Sequence, residues 1–214
     1  MKYAGMGQEL IILGAGGHAK VLLATAIAAG WSCISLYDDD NSKHGHSLFG
    51  ITIKGPLPPG ELIQNSWTVI GIGFNELREK VSQRYPSVRW ATLVHPSAVL
   101  HDTVQLGAGS VVLAGCVIQP DSIIGRHCII NTSASVDHDC KIGDFVHMAP
   151  GSTLAGGVNL GRSVFVGIGA LVIPGIQIGD HTTIGAGACV VNNLPPNITA
   201  VGLPAREIKS SLRL

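Results

Sequence analysis

Residues 112–144 read VLAGCVIQPDSIIGRHCIINTSASVDHDCKIGD, and an aliphatic residue returns at every sixth position of this stretch. The same step extends from Val94 to Val190, where seventeen consecutive positions hold an aliphatic residue or methionine. The residue four positions after each of these is small or aliphatic throughout. A register held over this length predicts a structural unit that repeats every six residues.

A period of six is typical of a parallel β-helix, in which each hexad supplies one short strand and one corner. Three hexads close a triangular coil, and the coils stack at the strand spacing of about 4.8 Å. Residues eighteen apart should therefore lie directly above one another. The aliphatic positions should fill the interior, and the small positions should fit where the wall turns. Three cysteines occupy small positions and are expected to be packing residues: Cys116, Cys128 and Cys140.

The outer face of the first hexads is unusually apolar. Its side chains should point away from the interior, and five of the six are aliphatic, which favours a subunit interface. The six positions are Val99, Gln105, Val111, Val117, Ile123 and Ile129.

The first ninety residues have a different pattern. ELIILGAGGHAKVLLATAIAAG predicts a buried strand, a glycine turn and a helix, CISLYDDD a second strand that ends in acidic residues, and WTVIGIGFNELREKVSQRY another strand, turn and helix. These elements predict a small Rossmann-like βαβ domain with a parallel sheet. The chain is therefore of a mixed fold class, with an α/β domain over residues 1–92 and a β-helix domain over residues 93–214.

The turn GAGGHA matches the pattern G-x-G-x-x-A, and Asp38 follows Gly14 by 24 residues. A dinucleotide site is one interpretation, although a full dinucleotide fold needs two such halves. A second is that the turn and the helix N-terminus hold the phosphates of a nucleotide, with Asp38 or Asp39 near the base or ribose. A third is a tight turn that binds no ligand.

Charge and composition argue against several classes of partner. Acidic and basic residues balance at fourteen each, and the chain has no basic patch for a nucleic acid or an anionic membrane. No stretch approaches the roughly 18 apolar residues of a spanning helix, and MKYAGMGQEL lacks the apolar core of a signal peptide. We therefore expect a cytoplasmic protein without membrane insertion. No C-x-x-C pair indicates a disulfide framework or a zinc site.

His138 lies between Asp137 and Asp139, at a hexad position that should face outward near a corner. Adjacent carboxylates can orient an imidazole and raise its basicity, as a general base requires. Gly156 follows eighteen residues later and should lie one coil above, where its N–H could serve as an oxyanion donor. The same spacing forms two further columns: Pro150 with Ile168 and Ala186, and His147 with Phe165 and Thr183.

The order of motifs resembles a known family over nearly the whole chain. GAGGHAKV, LYDDD, IGIGFNELR, NTSASVDHDCKIGDFVHMAPG and VGLPAREIK are similar to the hexapeptide-repeat acyltransferases that N-acetylate nucleotide-linked bacillosamine, perosamine or viosamine precursors in bacterial glycan biosynthesis, and to sialic acid O-acetyltransferases. This resemblance implies a left-handed β-helix and a homotrimer with active sites between subunits. It also implies acetyl-CoA as co-substrate, no metal, and an N-terminal domain that binds the nucleotide sugar.

The resemblance also assigns roles to particular residues of this sequence. It implies His138 as the base and Asp139 as the residue that tunes it (relatives can have Glu). The oxyanion donor Gly156 comes from the stacking argument alone. Acetyl-CoA contacts fall on His147, Ile168 and Ala186 (relatives can have Gly). The basic side chain of Arg206 in VGLPAREIK could reach the CoA phosphate. Nucleotide-sugar contacts fall on Gly16, Gly17, His18, Asp38, Asp39 and Gly73, with Asn75 and Arg78 as further candidates.

The expected reaction is direct acetyl transfer to the 4-amino group of a UDP-, GDP- or dTDP-linked amino-dideoxy sugar. O-acetylation is the nearest alternative, because a hydroxyl acceptor needs the same base. A metal-dependent β-helix hydratase would need three convergent imidazoles, whereas His138 and His147 are half a coil apart. A non-catalytic scaffold is the remaining alternative.

Overall fold

A computed structural model describes residues 8–208, so the two ends of the predicted domains, residues 1–7 and 209–214, lie outside the described residues. The chain divides into two compact units, Met1–Pro96 and Ser97–Leu214, whereas the predicted boundary lies between 92 and 93. The later division has a physical reason. Leu93–Val94, which begins the hexapeptide register, packs against the first helix, Gly17–Ala28.

The first unit is a parallel sheet with short helices. Its elements are β1 (Glu9–Leu13), α1 (Gly17–Ala28), β2 (Cys33–Tyr37), a 3-10 turn (Asn41–Lys43), β3 (Ser47–Leu48), β4 (Ile51–Lys54), α2 (Gly60–Ile63), β5 (Trp67–Ile70), α3 (Asn75–Gln83), β6 (Arg89–Trp90) and β7 (Leu93–Val94). The sheet order is β3-β4-β2-β1-β5-β6, and every pair except β3–β4 is parallel. The predicted βαβ arrangement is confirmed.

Strand β1 lies at the centre of this sheet because it is apolar on both faces, and Leu10 to Leu13 are all buried. It pairs with β2 on one side and with β5 on the other, so the strand order reverses there. In open α/β sheets, ligands bind outside the carboxyl ends of the strands at such a point. The glycine turn after β1 and the Gly71–Gly73 segment after β5 meet at this edge.

The second unit is a stack of two-residue strands on three faces. The first face holds β8 (Val99–Leu100), β11 (Val117–Ile118), β14 (Ser135–Val136), β17 (Thr153–Leu154), β20 (Leu171–Val172) and β23 (Cys189–Val190). The second holds β9 (Gln105–Leu106), β12 (Ile123–Ile124), β15 (Lys141–Ile142), β18 (Asn159–Leu160) and β21 (Gln177–Ile178). The third holds β10 (Val111–Val112), β13 (Ile129–Ile130), β16 (His147–Met148), β19 (Phe165–Val166), β22 (Thr183–Ile184), β24 (Thr199–Val201) and β25 (Arg206–Glu207).

The register of these strands is the predicted one, because each strand from β8 to β20 pairs in parallel with the strand eighteen residues later. Of the seventeen aliphatic or methionine positions, all are buried except Leu100 and Leu106, which are half-buried and belong to the first coil. The predicted left-handed parallel β-helix is confirmed.

The cysteines at the small positions are packing residues, as expected, and they also form hydrogen bonds. Cys116, Cys128 and Cys140 are fully buried, and each thiol donates to a carbonyl of the next coil. Burial raises the pKa of the Cys116 thiol to about 11 and also raises the pKa of the Cys140 thiol. These thiols are packing groups, because the thiolate that reacts is suppressed.

The predicted apolar outer face is narrower than the sequence suggested. Val99 and Ile123 are exposed, but Val111 and Ile129 on the third face are 2% and 1% exposed within the single chain. Those two side chains are covered without a partner subunit, so they are not part of an exposed patch. Among the helices that the structure describes, none combines the length and the apolar character that a membrane crossing requires.

Candidate active site

His138 lies at the corner between β14 and β15, outside the coil, as its hexad position predicts. Its Nδ1 is 2.7 Å from Oδ2 of Asp139. A carboxylate only accepts, so Nδ1 donates the hydrogen and the lone pair of the ring is on Nε2. Asp139 has a left-handed backbone with φ of 59°, which turns its side chain back toward the imidazole. The side chain is 60% exposed, so the Nε2 lone pair is open to a hydrogen-bond donor from outside the chain.

The pKa of His138 is raised above its ordinary value, first by the hydrogen bond to Asp139 and then by the negative charge of Asp137. Asp137 also contacts the histidine directly, because its Oδ1 accepts from the backbone N–H of His138 at 2.8 Å. Sequence reasoning assigned the tuning role to Asp139 and did not predict this backbone hydrogen bond of Asp137. Its position directly before the histidine was the available signal, since an Asp side chain often caps its own local backbone.

Gly156 lies directly above His138, as the eighteen-residue spacing predicts. A Cβ atom placed on Gly156 would lie 2.6 Å from both Cε1 and Nε2 of the imidazole. The N–H of Gly157 donates to the carbonyl of His138 at 2.9 Å, which fixes the two coils against each other. Within residues 8–208, the N–H of Gly156 makes no hydrogen bond to another residue.

The residues expected to contact acetyl-CoA lie elsewhere on the coil. The backbone N–H of Gly187 donates to the carbonyl of Ile168 at 2.8 Å, so Ile168 and Ala186 are axial neighbours at the corner between the third and first faces. Both are exposed. His147 lies on the third face, where its Nε2 is 3.1 Å from Nδ2 of Asn131 and its ring meets Phe165 edge-on. Exposed Arg206 lies in β25 on the same face. One chain therefore holds these residues on other sides of the coil from His138.

The six residues expected to contact the nucleotide sugar line one cavity of about 430 Å³ in the first unit. They come from three turns at the carboxyl edge of the sheet: the turn after β1, the acidic segment after β2 and the turn after β5. The residues are Gly16, Gly17, His18, Asp38, Asp39 and Gly73. The structure thus brings the whole set together, although they span 58 positions of the sequence from Gly16 to Gly73.

The glycines of the two turns differ in whether packing requires them. Gly14 has φ of 101°, and a Cβ on Gly71 would lie 2.8 Å from the carbonyl oxygen of Gly14, so the close approach of the two turns requires both. At Gly16 and Gly17, by contrast, an added Cβ would meet no protein atom within 4 Å. Packing does not explain these two glycines. They leave open space at the N-terminus of α1, whose first turn carries no acidic residue.

Asp38 lines the cavity and also makes hydrogen bonds within the protein. Its Oδ2 accepts from the N–H of Ala15 at 2.6 Å and from Nζ of Lys43 at 3.0 Å, and its Oδ1 accepts from the N–H of Asp40. Burial alone would raise the pKa of Asp38, but the two backbone hydrogen bonds and Lys43 hold that pKa below its ordinary value. Asp38 therefore fixes the glycine turn.

Asp39 is half exposed and faces the same cavity. Its Oδ1 accepts from the N–H of Leu57 and its Oδ2 from Nη1 of Arg84, each at 2.9 Å. Burial would raise the pKa of Asp39, yet these hydrogen bonds hold it below the ordinary value.

Sequence reasoning missed several residues that line this cavity, among them Lys43, Phe74, Leu77 and Arg84. Phe74 and Leu77 are exposed apolar side chains on its wall. Phe74 and Leu77 belong to the IGIGFNELR motif, which was the available signal for them. Lys43 and Arg84 lie outside the motifs GAGGHAKV, LYDDD and IGIGFNELR and reach the cavity only through the fold. The candidate Arg78 is buried and its guanidinium donates to the carbonyl of Gly73 and to Asn75 Oδ1, so this pair shapes the loop after β5.

The described residues of the single chain contain no cluster of three or more histidine, cysteine or acidic side chains with metal-site geometry.

Comparisons with known proteins agree with both units. Residues 9–85 match the PglD N-terminal domain family. A curated relative, the GDP-perosamine N-acetyltransferase of Escherichia coli O157:H7, is 34% identical over 89 residues, which are 41% of this chain and 40% of that protein. The chain spans about half or less of the length of the curated relatives it matches.

Solved structures match over almost the full length. PerB from Caulobacter crescentus, in complex with CoA and GDP-perosamine, is 38% identical with a TM-score of 0.87, covering 94% of this chain and 97% of that one. The acetyltransferase domain of PglB from Neisseria gonorrhoeae FA1090, in complex with acetyl coenzyme A, is 32% identical with a TM-score of 0.86, covering 94% and 99%.

A glycine-turn α/β unit, followed by a hexapeptide coil with a carboxylate-bound histidine at a corner, defines the class of hexapeptide-repeat acyltransferases. Within that class, the chain belongs to the family of sugar-nucleotide N-acetyltransferases that includes the perosamine and bacillosamine enzymes.

Proposed function

We propose that this protein transfers an acetyl group from acetyl-CoA to the 4-amino group of a nucleotide-linked amino-dideoxy sugar. The observation that carries this proposal is the His138 imidazole, oriented through Nδ1 by Asp139 and lying against Gly156 of the next coil. An imidazole held in this way presents a basic Nε2 beside an available backbone N–H. A general base and an oxyanion donor each accelerate acyl transfer to an amine.

In the proposed reaction, the amine nitrogen attacks the thioester carbonyl carbon, and Nε2 of His138 takes the proton that the nitrogen loses. The N–H of Gly156 donates to the carbonyl oxygen as negative charge develops on it. The carbon–sulfur bond then breaks, and the sulfur leaves as thiolate. Asp139 stabilises the imidazolium through its hydrogen bond to Nδ1. General-base assistance of this kind contributes roughly 10²–10⁴-fold to a rate.

The cavity of the first unit supports a nucleotide sugar as the acceptor. Open space over Gly16 and Gly17 at the N-terminus of α1 suits a diphosphate, because the first N–H groups of a helix bind anions. The relatives act on GDP-linked and UDP-linked amino sugars by name. The cavity features are compatible with a UDP, GDP or dTDP carrier.

A homotrimer with the active site between subunits is part of this proposal. Its support is that Ile168, Ala186 and His147 lie on other sides of the coil from His138. A second copy would have to supply them if acetyl-CoA is to contact both sets. Exposed Val99 and Ile123 are apolar surface of the kind that a subunit interface covers.

The test combines turnover with assembly. Purified protein is given acetyl-CoA with UDP-, GDP- and dTDP-linked 4-amino sugars and with matched 4-hydroxy sugars, and release of free thiol is followed. We expect thiol release with an amino sugar, loss of at least about 100-fold in His138→Ala, and an unchanged trimer by light scattering. Near-normal turnover in His138→Ala would overturn the assignment of the base. Turnover confined to the hydroxy sugars would replace N- by O-acetylation.

A further inference from the structure

Ser122 lies one coil beneath the corner that carries His138, and its hydroxyl bonds that corner at two points. Its Oγ donates to the carbonyl of Asp137 at 2.7 Å and accepts from the backbone N–H of Cys140 at 3.1 Å. Ser122 itself is fully buried. The two backbone groups that it holds bracket the His138–Asp139 pair on either side.

The corner between the two hydrogen bonds of Ser122 has a backbone conformation that is unfavourable for a residue with a Cβ. Asp139 has φ of 59°, a left-handed conformation that a residue with a Cβ adopts at a cost. Its N–H donates to the carbonyl of Pro120 at 3.1 Å, which restrains the turn from the coil below. The Nδ1–Oδ2 contact between His138 and Asp139 depends on this backbone, so a looser corner would separate the two side chains.

A second serine has the same contacts at a corner without a proposed chemical role. Ser110 is also fully buried, and its Oγ donates to the carbonyl of Gly125 at 2.7 Å and accepts from the N–H of Cys128 at 2.9 Å. The sequence separations to the bonded residues are identical for the two serines, at fifteen and eighteen residues. Ser110 is therefore a matched internal control for Ser122.

We propose that Ser122 is a positioning residue, whose buried hydroxyl fixes the 137–140 corner so that Asp139 holds the His138 imidazole in its productive orientation. This inference rests on the proposed function, since it takes His138 as the base. The groups that face His138 are Asp137 and Asp139 from its own corner and the uncharged Gly156 from the next coil.

The experiment compares Ser122→Ala, Ser122→Cys, Ser110→Ala and His138→Ala with the parent. Each protein is studied by thermal unfolding, by kcat and KM for both substrates, and by a pH titration of the His138 imidazole followed by NMR. Ser122→Cys guards against misfolding, because the coil already accepts buried cysteines at equivalent positions, each bonded to a carbonyl of the next coil.

We expect Ser122→Ala to lower kcat by roughly 10- to 100-fold, with KM for acetyl-CoA changed less than about 2-fold. The His138 titration should move to lower pH as its contact with Asp139 weakens. Ser122→Cys should lie between Ser122→Ala and the parent. Ser110→Ala should lose as much thermal stability as Ser122→Ala while keeping kcat within about 2-fold of the parent.

The outcomes distinguish a failure of the Ser122 inference from a failure of the proposed function. If His138→Ala is inactive while Ser122→Ala and Ser110→Ala share the same kcat and the same His138 titration, Ser122 is only structural and the inference is wrong. If His138→Ala keeps near-normal turnover, the proposed function fails, and the NMR titration alone then decides whether Ser122 orients the imidazole. If Ser122→Ala does not fold, Ser122→Cys is judged by the same criteria.

Discussion

Replacing Gly156 by alanine should impair turnover without unfolding the coil. The new Cβ would lie 2.6 Å from Cε1 and Nε2 of His138. Because non-bonded carbon atoms are separated by about 3.5 Å or more, the ring would have to move by about 1 Å. The backbone of Gly156 does not have a φ in the left-handed region, so alanine adds no strain there. Its N–H, the proposed oxyanion donor, is retained.

The size of the effect follows from this displacement. A misplacement of about 1 Å in a catalytic group can reduce a rate by about 100-fold, so we expect kcat of Gly156→Ala to fall by that order. The imidazole is 60% exposed and can rotate toward solvent. The melting temperature should therefore stay within about 4 °C of the parent.

Thiol release at saturating substrates measures kcat, and scanning calorimetry measures stability. A double variant gives the control: if alanine acts by displacing the ring, Gly156→Ala combined with His138→Ala should be no slower than His138→Ala alone. Normal turnover in Gly156→Ala would refute the packing argument. Additive losses in the double variant would show that Gly156 acts independently of the imidazole.

Three further predictions concern the same two sites. In Asp139→Asn the pKa of His138 should fall toward its ordinary value. Because the imidazole must be neutral to act as a base, the rising limb of the pH profile of kcat/KM should move to lower pH. If that limb does not move, the role of Asp139 is contradicted. Gly16→Ala should raise KM for the nucleotide sugar at an unchanged melting temperature. Gly55→Ala is the control and should change neither quantity, because an added Cβ there also meets no atom within 4 Å but Gly55 lies outside the cavity. If the two variants have the same KM, the open space over Gly16 does not bind the nucleotide sugar. Asp38→Ala should lower the free energy of unfolding by about 1–3 kcal/mol, because buried N–H groups lose their acceptor. Urea unfolding measures this change, and a loss below about 1 kcal/mol would contradict the role of Asp38.

The coil was predictable almost residue by residue because its geometry is a constant translation. Eighteen residues make one turn, so the position of Gly156 above His138 and the column of Ile168 and Ala186 follow from arithmetic. The repeat did not predict the burial of two side chains. Val111 and Ile129 occupy outward positions but are covered within the single chain, which the hexad pattern does not contain.

The α/β unit was predictable only in outline. The glycine turn and the acidic segment indicated a possible ligand site, the resemblance added Gly73 of the second turn, and the structure places these residues around one cavity. The partners of Asp38 and Asp39 were not predictable. Arg84 reaches Asp39 across 45 positions of the sequence, and Lys43 turns back onto Asp38 through a short 3-10 turn. Such contacts depend on loop conformations that have no period.

The sequence by itself determined that this protein winds into a three-sided β-helix and that His138 faces outward between two carboxylates. A strict period converts directly into position because every coil repeats the same backbone path. Only the tertiary structure decided that Asp38 bonds the glycine turn and that Ser122 bonds the corner that carries His138. Those roles depend on which of several available donors and acceptors meet, and that choice is made by the packing of the whole fold.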